Sequence, residues 1–124
     1  DLAYMDDEGY IFIVDRSKDM IILGGENVYP REVEEVIYTI PEVLECAVVG
    51  VDDSLRGQAV CAFIVAKEGM EIDKKAVRKY LLEHLALYKV PRHYFVIEKM
   101  PKNGTGKIVK PTLREMAAAL VQKV

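Results

Sequence analysis

Val43-Leu44-Glu45-Cys46-Ala47-Val48-Val49-Gly50-Val51 and Ala59-Val60-Cys61-Ala62-Phe63-Ile64-Val65-Ala66 are the two longest apolar, β-branched runs of the chain. A polar stretch at Asp52-Asp53-Ser54 and Gly57 separates them. Runs of this length and composition, joined by turn residues, predict two adjacent strands. Helical patterns lie on either side. Pro30 fits a helix first turn, with Glu32, Glu34 and Glu35 near its positive end, and Val33, Val36, Ile37 and Ile40 as an inward stripe up to Pro41. Asp73 is a natural N-cap for a second helix over about 73–87, whose buried face is Ala76, Val77, Tyr80, Leu81 and Leu85.

Further out the alternation continues. Residues 2–5 and 10–14 flank Asp6-Asp7-Glu8-Gly9 and predict a β-hairpin, and Asp15–Asp19 reads as a charged connection. Met20–Leu23 predicts a short buried strand running into a Gly24-Gly25-Glu26-Asn27 loop, where glycine permits positive φ and close backbone approach to a ligand. Tyr88-Lys89-Val90-Pro91 is a turn, Tyr94–Ile97 a strand, and Leu113, Met116, Ala117, Leu120 and Val121 the stripe of a last helix over about 112–122. Strands and helices interleaved over short connections predict an α+β fold: a small three-stranded sheet flanked by helices, preceded by the hairpin.

Composition excludes several classes. The 124 residues are 51% hydrophobic and 30% charged with a formal net charge of −3, which fits one globular domain and not a nucleic-acid binder. No apolar run reaches the ~20 residues that span a bilayer, so no membrane anchor is visible. Cys46 and Cys61 sit in apolar runs and not in a paired motif, which predicts core thiols of a reducing compartment, and so a cytoplasmic setting. No metal site is expected. His84 and His93 read as a helix-face and a strand-edge residue.

Two segments carry chemistry. Pro101-Lys102-Asn103-Gly104-Thr105-Gly106-Lys107 places a lysine in a Gly-rich turn between structured elements. It is not a Walker A loop: Pro101 stands where that motif needs glycine, and Ile108 where it needs Ser or Thr. Alone, the segment also fits a solvated hairpin tip. The second segment, Asp15-Arg16-Ser17-Lys18-Asp19-Met20-Ile21-Ile22-Leu23-Gly24-Gly25-Glu26-Asn27-Val28-Tyr29-Pro30-Arg31-Glu32-Val33-Glu34, resembles a signature of the adenylate-forming (AMP-binding) superfamily. The lysine loop with Ile108 and Lys110 resembles that family's final motif, and Asp1-Leu2 with Asp7-Glu8-Gly9-Tyr10 the preceding one. The wording of Gly24–Glu34 and of Tyr88–Pro91 is most similar to fatty acyl-CoA synthetases.

The resemblance implies an ATP-dependent acid–thiol ligase that joins a carboxylic acid to ATP and then transfers the acyl group to CoA. It divides the chain into residues 1–17, the end of an N-terminal domain with its linker, and 18–124, a mobile C-terminal lid. Lys107 is implied as the adenylation lysine, Asp1 and Arg16 as nucleotide ligands, and Lys18 as the hinge between half-reactions. Gly24, Gly25 and Glu26 are implied along the pantetheine path of CoA, and Tyr88, Lys89 and Arg92 at its nucleotide end. The magnesium that accompanies ATP is implied mainly outside this chain, and the N-terminal domain of the same chain is the implied partner. Two residues depart from the pattern: Asn27 where some members carry a phosphate-contacting arginine, and Lys110 where arginine is more usual. A stand-alone binding or regulatory module and a peptide-synthetase adenylation domain are the alternatives. The chain alone is expected to be inactive, since the acyl pocket belongs to the N-terminal part.

Overall fold

A computed structural model of the chain describes residues 2–5, 11–15 and 20–122. The N-terminal hairpin is present: β1 (Leu2–Met5) pairs antiparallel with β2 (Ile11–Asp15), matching Tyr4 with Phe12. The predicted turn at Asp6-Asp7-Glu8-Gly9, and the candidate residues Asp1, Arg16 and Lys18, lie outside the described residues.

β3 (Ile21–Leu23) and β4 (Glu26–Val28) form a second small hairpin. Here the predicted four-residue loop is corrected. Only Gly24 and Gly25 make the turn, with φ of +47° and +98°, while Glu26 and Asn27 are paired strand residues. Two consecutive positive φ values suit a two-residue turn whose twist matches the strands, and glycine adopts them without a Cβ clash. The predicted burial of β3 also holds for one face only: Ile21 is buried and Ile22 is 50% exposed.

The main sheet has the order β5-β6-β7, from β5 (Val43–Asp53), β6 (Gly57–Ala66) and β7 (His93–Val96). β5 and β6 are antiparallel, whereas β7 runs parallel to β6. Parallel neighbours need a crossover, and α2 (Lys74–His84) supplies it. The sheet is buried on both faces, which explains its unbroken apolar runs. One face carries Cys46, Val48, Val60, Ala62, Ile64 and Tyr94 against α1 (Pro30–Ile37), α2, Ile21 and Val28. The other carries Ala47, Val49, Cys61, Phe63 and Val65 against Met100 and the Leu113–Ala117 face of α3 (Lys110–Val121). A bulge at Leu44 lets Val43 join Cys46 on the first face, although strict alternation would separate them. Gly50 is the point of close approach: a Cβ there would lie 3.1 Å from Ile21 Cγ1.

Helix boundaries differ from the sequence expectation in physically readable ways. α1 ends at Ile37, ahead of Pro41, because the Thr39 hydroxyl donates to the Val36 carbonyl at 2.6 Å and the last turn tightens. α2 stops at His84. Leu85 is extended, and Leu87–Lys89 forms a separate 3-10 turn where a plain turn was expected. Asp73 caps α2 as expected, its carboxylate accepting from the N–H groups of Lys75 and Ala76 at 3.0 and 3.3 Å. α3 begins two residues earlier than expected, with Pro111 in its first turn, where a missing N–H costs nothing. Both cysteines are buried free thiols, as their apolar neighbours predicted.

Candidate functional site

The lysine loop is organised by one side chain. Asn103 Oδ1 accepts from the N–H of Thr105 at 3.0 Å, the Thr105 hydroxyl at 2.7 Å and the N–H of Lys107 at 3.0 Å. The Asn103 N–H donates to the Lys107 carbonyl at 2.9 Å, and Lys102 bridges Ile108 across the turn. Gly106 completes the reversal with φ of +83°. Backbone is thus held on both sides of Lys107 while its side chain is exposed.

Three lysines belong to this segment, and their surroundings differ. Lys102 pairs with Glu45 of β5 at 2.8 Å. Lys110, at the start of α3, pairs with Glu34 of α1 at 2.9 Å. The same Glu34 oxygen accepts the Val48 N–H of β5 at 2.8 Å. The Lys107 ammonium has no partner among the described residues. An unpaired, outward ammonium on a braced turn is suited to meeting a negative charge brought by another body.

A second site lies elsewhere on the domain. A groove of about 890 Å³ is lined by Gly24, Leu55, Arg56, Arg78, Leu87, Tyr88, Arg92 and Tyr94, with Lys74 and Lys75 at its rim. The Gly24 N–H donates to the Arg56 carbonyl at 2.9 Å, which docks the β3–β4 turn on the β5–β6 connection. Among the described residues no carboxylate lines this groove, and Lys74, Lys75, Arg78 and Arg92 make no ion pair. Arg56 is held by Asp53 at 3.0 Å. Backbone N–H groups of Leu55 and Arg56 and the Arg56 charge hold the Asp53 carboxyl below its ordinary range. Tyr94 Oη is buried with no hydrogen-bond partner among the described residues, and desolvation pushes the phenol's pKa up while Arg78 opposes the rise. An apolar floor with Tyr88 and a rim of cations fits an aromatic ring carrying phosphates.

The structure therefore gathers Gly24, Tyr88 and Arg92 at one groove. Gly25 and Glu26 are exposed at the β3–β4 turn but do not line it. Lys89 is directed elsewhere: its ammonium lies 2.9 Å from Glu32 and 5.6 Å from the Tyr88 ring centroid, and the Glu32 hydrogen bond chiefly raises its pKa. Lys107 does not line the groove. His84 and His93 hold the helix and edge-strand positions expected of them. His84 Nδ1 is 2.8 Å from the Tyr80 carbonyl, and burial lowers the His93 pKa. Sequence reading missed Lys74, Lys75 and Arg78. For Lys74 and Lys75 the signal was present: cations in the first turn of α2 oppose the helix dipole, so local helix stability does not account for them. Among the described residues no three His, Cys, Asp or Glu side chains cluster as a metal site, and no helix is long and apolar enough to cross a membrane.

Known proteins resemble the chain over most of its length. Residues 32–107 match the family model of the AMP-binding enzyme C-terminal domain. The chain is 46% identical over 123 residues to the long-chain-fatty-acid–CoA ligase FadD13 of Mycobacterium tuberculosis, covering 99% of this chain and 24% of that protein. ATP-bound MatB from Rhodopseudomonas palustris superposes with a TM-score of 0.85 at 38% identity, over 92% of this chain and 23% of that one. The o-succinylbenzoate CoA synthetase of Bacillus subtilis, in complex with its acyl-adenylate intermediate, gives 0.78 at 37% identity, over 90% and 23%. The chain thus spans about a quarter of the length of the relatives it matches. The chain belongs to the family of AMP-binding enzyme C-terminal domains found in AMP-forming acyl-CoA ligases.

Proposed function

We propose that this chain is the mobile lid of an ATP-dependent acyl-CoA ligase, with residues 18–124 as the lid and 1–17 as the end of the N-terminal domain and its linker. The observation that carries this reading is the unpaired Lys107 ammonium on a turn braced by Asn103. In the first half-reaction a carboxylate oxygen attacks the α-phosphorus of ATP and pyrophosphate leaves. Negative charge builds on the α-phosphate oxygens, and a pre-placed ammonium stabilises it in a site closed to water. Asp1 accepts the ribose hydroxyls, and Arg16 faces the nucleotide. Rotation about Lys18 then withdraws Lys107 and presents the β3–β4 turn and the groove. The CoA thiol attacks the acyl carbonyl and AMP leaves.

In the second state Gly24, Gly25 and Glu26 border the pantetheine arm, while Tyr88 and Arg92 receive the nucleotide end. Arg56, Lys74, Lys75 and Arg78 add phosphate-binding charge to the same groove. Lys89 acts through Tyr88, beside which Glu32 holds it. A fatty acid is the favoured substrate, supported by the 46% identity to FadD13. The N-terminal domain supplies the acyl pocket, and the chain by itself is expected to be inactive in the cytoplasm or in a test tube.

The test uses the full-length enzyme. Lys107→Ala is expected to slow pyrophosphate release by ~10²–10³ and to leave thioester formation from supplied acyl-adenylate nearly intact. Lys18→Pro, which fixes φ at the hinge, is expected to do the reverse. Equal loss of both half-reactions in both variants would sink the alternating-lid reading.

A further inference from the structure

The two lysines that flank Lys107 are both spoken for, and both are tied to the same strand edge. β5 is an edge of the sheet, so the outward N–H groups of Cys46 and Val48 lack a strand partner. Glu34 takes the Val48 N–H and, with the same oxygen, the Lys110 ammonium at 2.9 Å. Glu45, on β5 itself, takes Lys102 at 2.8 Å. The entry and the exit of the lysine turn are therefore each pinned beside one strand.

The Lys102–Glu45 pair is not placed as a stability device. Lys102 is 40% exposed, and an ion pair so open to water contributes little to folding. Lys110 is in the first turn of α3, where a cation opposes the helix dipole. Within the turn the shape is set by Asn103 and the Lys102–Ile108 bridge, but neither fixes where the turn sits on the domain. Met100 and Ile108 root the base of the turn in the second core, and the two ion pairs tie its flanks to the β5 edge.

We propose that Lys102–Glu45 and Lys110–Glu34 are positioning struts, which hold the turn against the β5 edge so that the Lys107 ammonium arrives at the reacting phosphate in register. This rests on the adenylation role proposed for Lys107. Misplacing a catalytic charge by about 1 Å is enough to cost ~10² in rate, so a loose strut acts on adenylation before it acts on stability. The thioester step, in which Lys107 has withdrawn, does not depend on the struts.

The experiment takes the full-length enzyme through Lys102→Met, Lys110→Met, the double variant, Lys110→Arg and Glu34→Gln, the last keeping an oxygen for the Val48 N–H. Pyrophosphate release, thioester formation from supplied acyl-adenylate and thermal unfolding are read for each, with Lys107→Ala in parallel. Each single Met variant is expected to lower adenylation kcat about tenfold and the double about a hundredfold, with the KM for ATP and the thioester step unchanged. Glu34→Gln should follow Lys110→Met, and Lys110→Arg should restore the wild-type rate. Equal slowing of both half-reactions with a lower unfolding temperature would overturn the proposal, as a merely structural role. Unchanged adenylation in the double variant, where Lys107→Ala abolishes it, would overturn the struts and leave the role of Lys107 standing. Unchanged adenylation in Lys107→Ala would overturn that role itself.

Discussion

The Tyr38 hydroxyl holds both backbone groups of Cys46: it accepts from the Cys46 N–H at 3.2 Å and donates to the Cys46 carbonyl at 3.3 Å. One phenol thus replaces a missing neighbouring strand at that point on the β5 edge. Glu34 does the same for the Val48 N–H one pleat along. Exposed strand edges invite pairing with other chains, and covering them with helix side chains is one way to prevent it. Burial raises the Tyr38 pKa above its ordinary value, with the Cys46 N–H bond opposing the rise.

Tyr38→Phe removes that hydroxyl and leaves two partly buried backbone groups without a partner. A cost of about 1–3 kcal/mol in urea unfolding is expected, with no change in the slope against denaturant. Concentration-dependent self-association should rise as well, read by light scattering. An unfolding midpoint equal to that of the wild type would show that water replaces the hydroxyl without cost.

Tyr94→Phe is expected to go the other way. Its hydroxyl is buried without a partner, so deleting it should leave stability unchanged or raise it by about 1 kcal/mol. The same variant tests the groove in the full-length enzyme. An unaltered KM for CoA is expected, since the hydroxyl is closed off from the groove, and a higher KM would place it in contact with the bound nucleotide.

The two thiols predict a pH dependence of stability at the alkaline end. Burial raises the pKa of Cys61 from 9.0 to about 12, and that of Cys46 higher still, so the folded chain keeps protons that the unfolded chain sheds. The stabilising contribution is therefore complete below about pH 9 and is lost progressively as pH climbs toward the folded values. Urea unfolding at pH 8 and pH 10 should show the decline, with a shallower slope in Cys61→Ala. Labelling of the native chain by a thiol reagent at pH 8 should be slow and should accelerate in urea. Rapid labelling without denaturant would contradict the buried-thiol account.

Much of this was legible locally. The apolar runs around Val48 and Phe63 announced two strands because a sheet covered on both faces leaves no position for polar alternation. Asp73 announced the start of α2 because a carboxylate there satisfies N–H groups only two and three residues away. Lys107 could be singled out because its motif is contiguous. The Gly24-Gly25 turn was half legible: glycines marked a reversal, but the pairing of Glu26 with Leu23 depends on a partner strand. The helix ends were less so, since Thr39 closes α1 on the Val36 carbonyl and Leu85 turns extended after α2, local backbone choices that apolar periodicity does not encode.

Element types, core stripes and the family motifs are written locally in the chain, because these depend on neighbours within a turn or two. Three arrangements emerge only on folding: β7 lies parallel to β6, Lys74, Lys75 and Arg78 meet Tyr88 and Arg92 at one groove, and Glu34 faces a strand edge and a lysine at once. Each joins residues far apart in the chain. Such pairings follow from how packed faces align in space, and no local pattern carries that information.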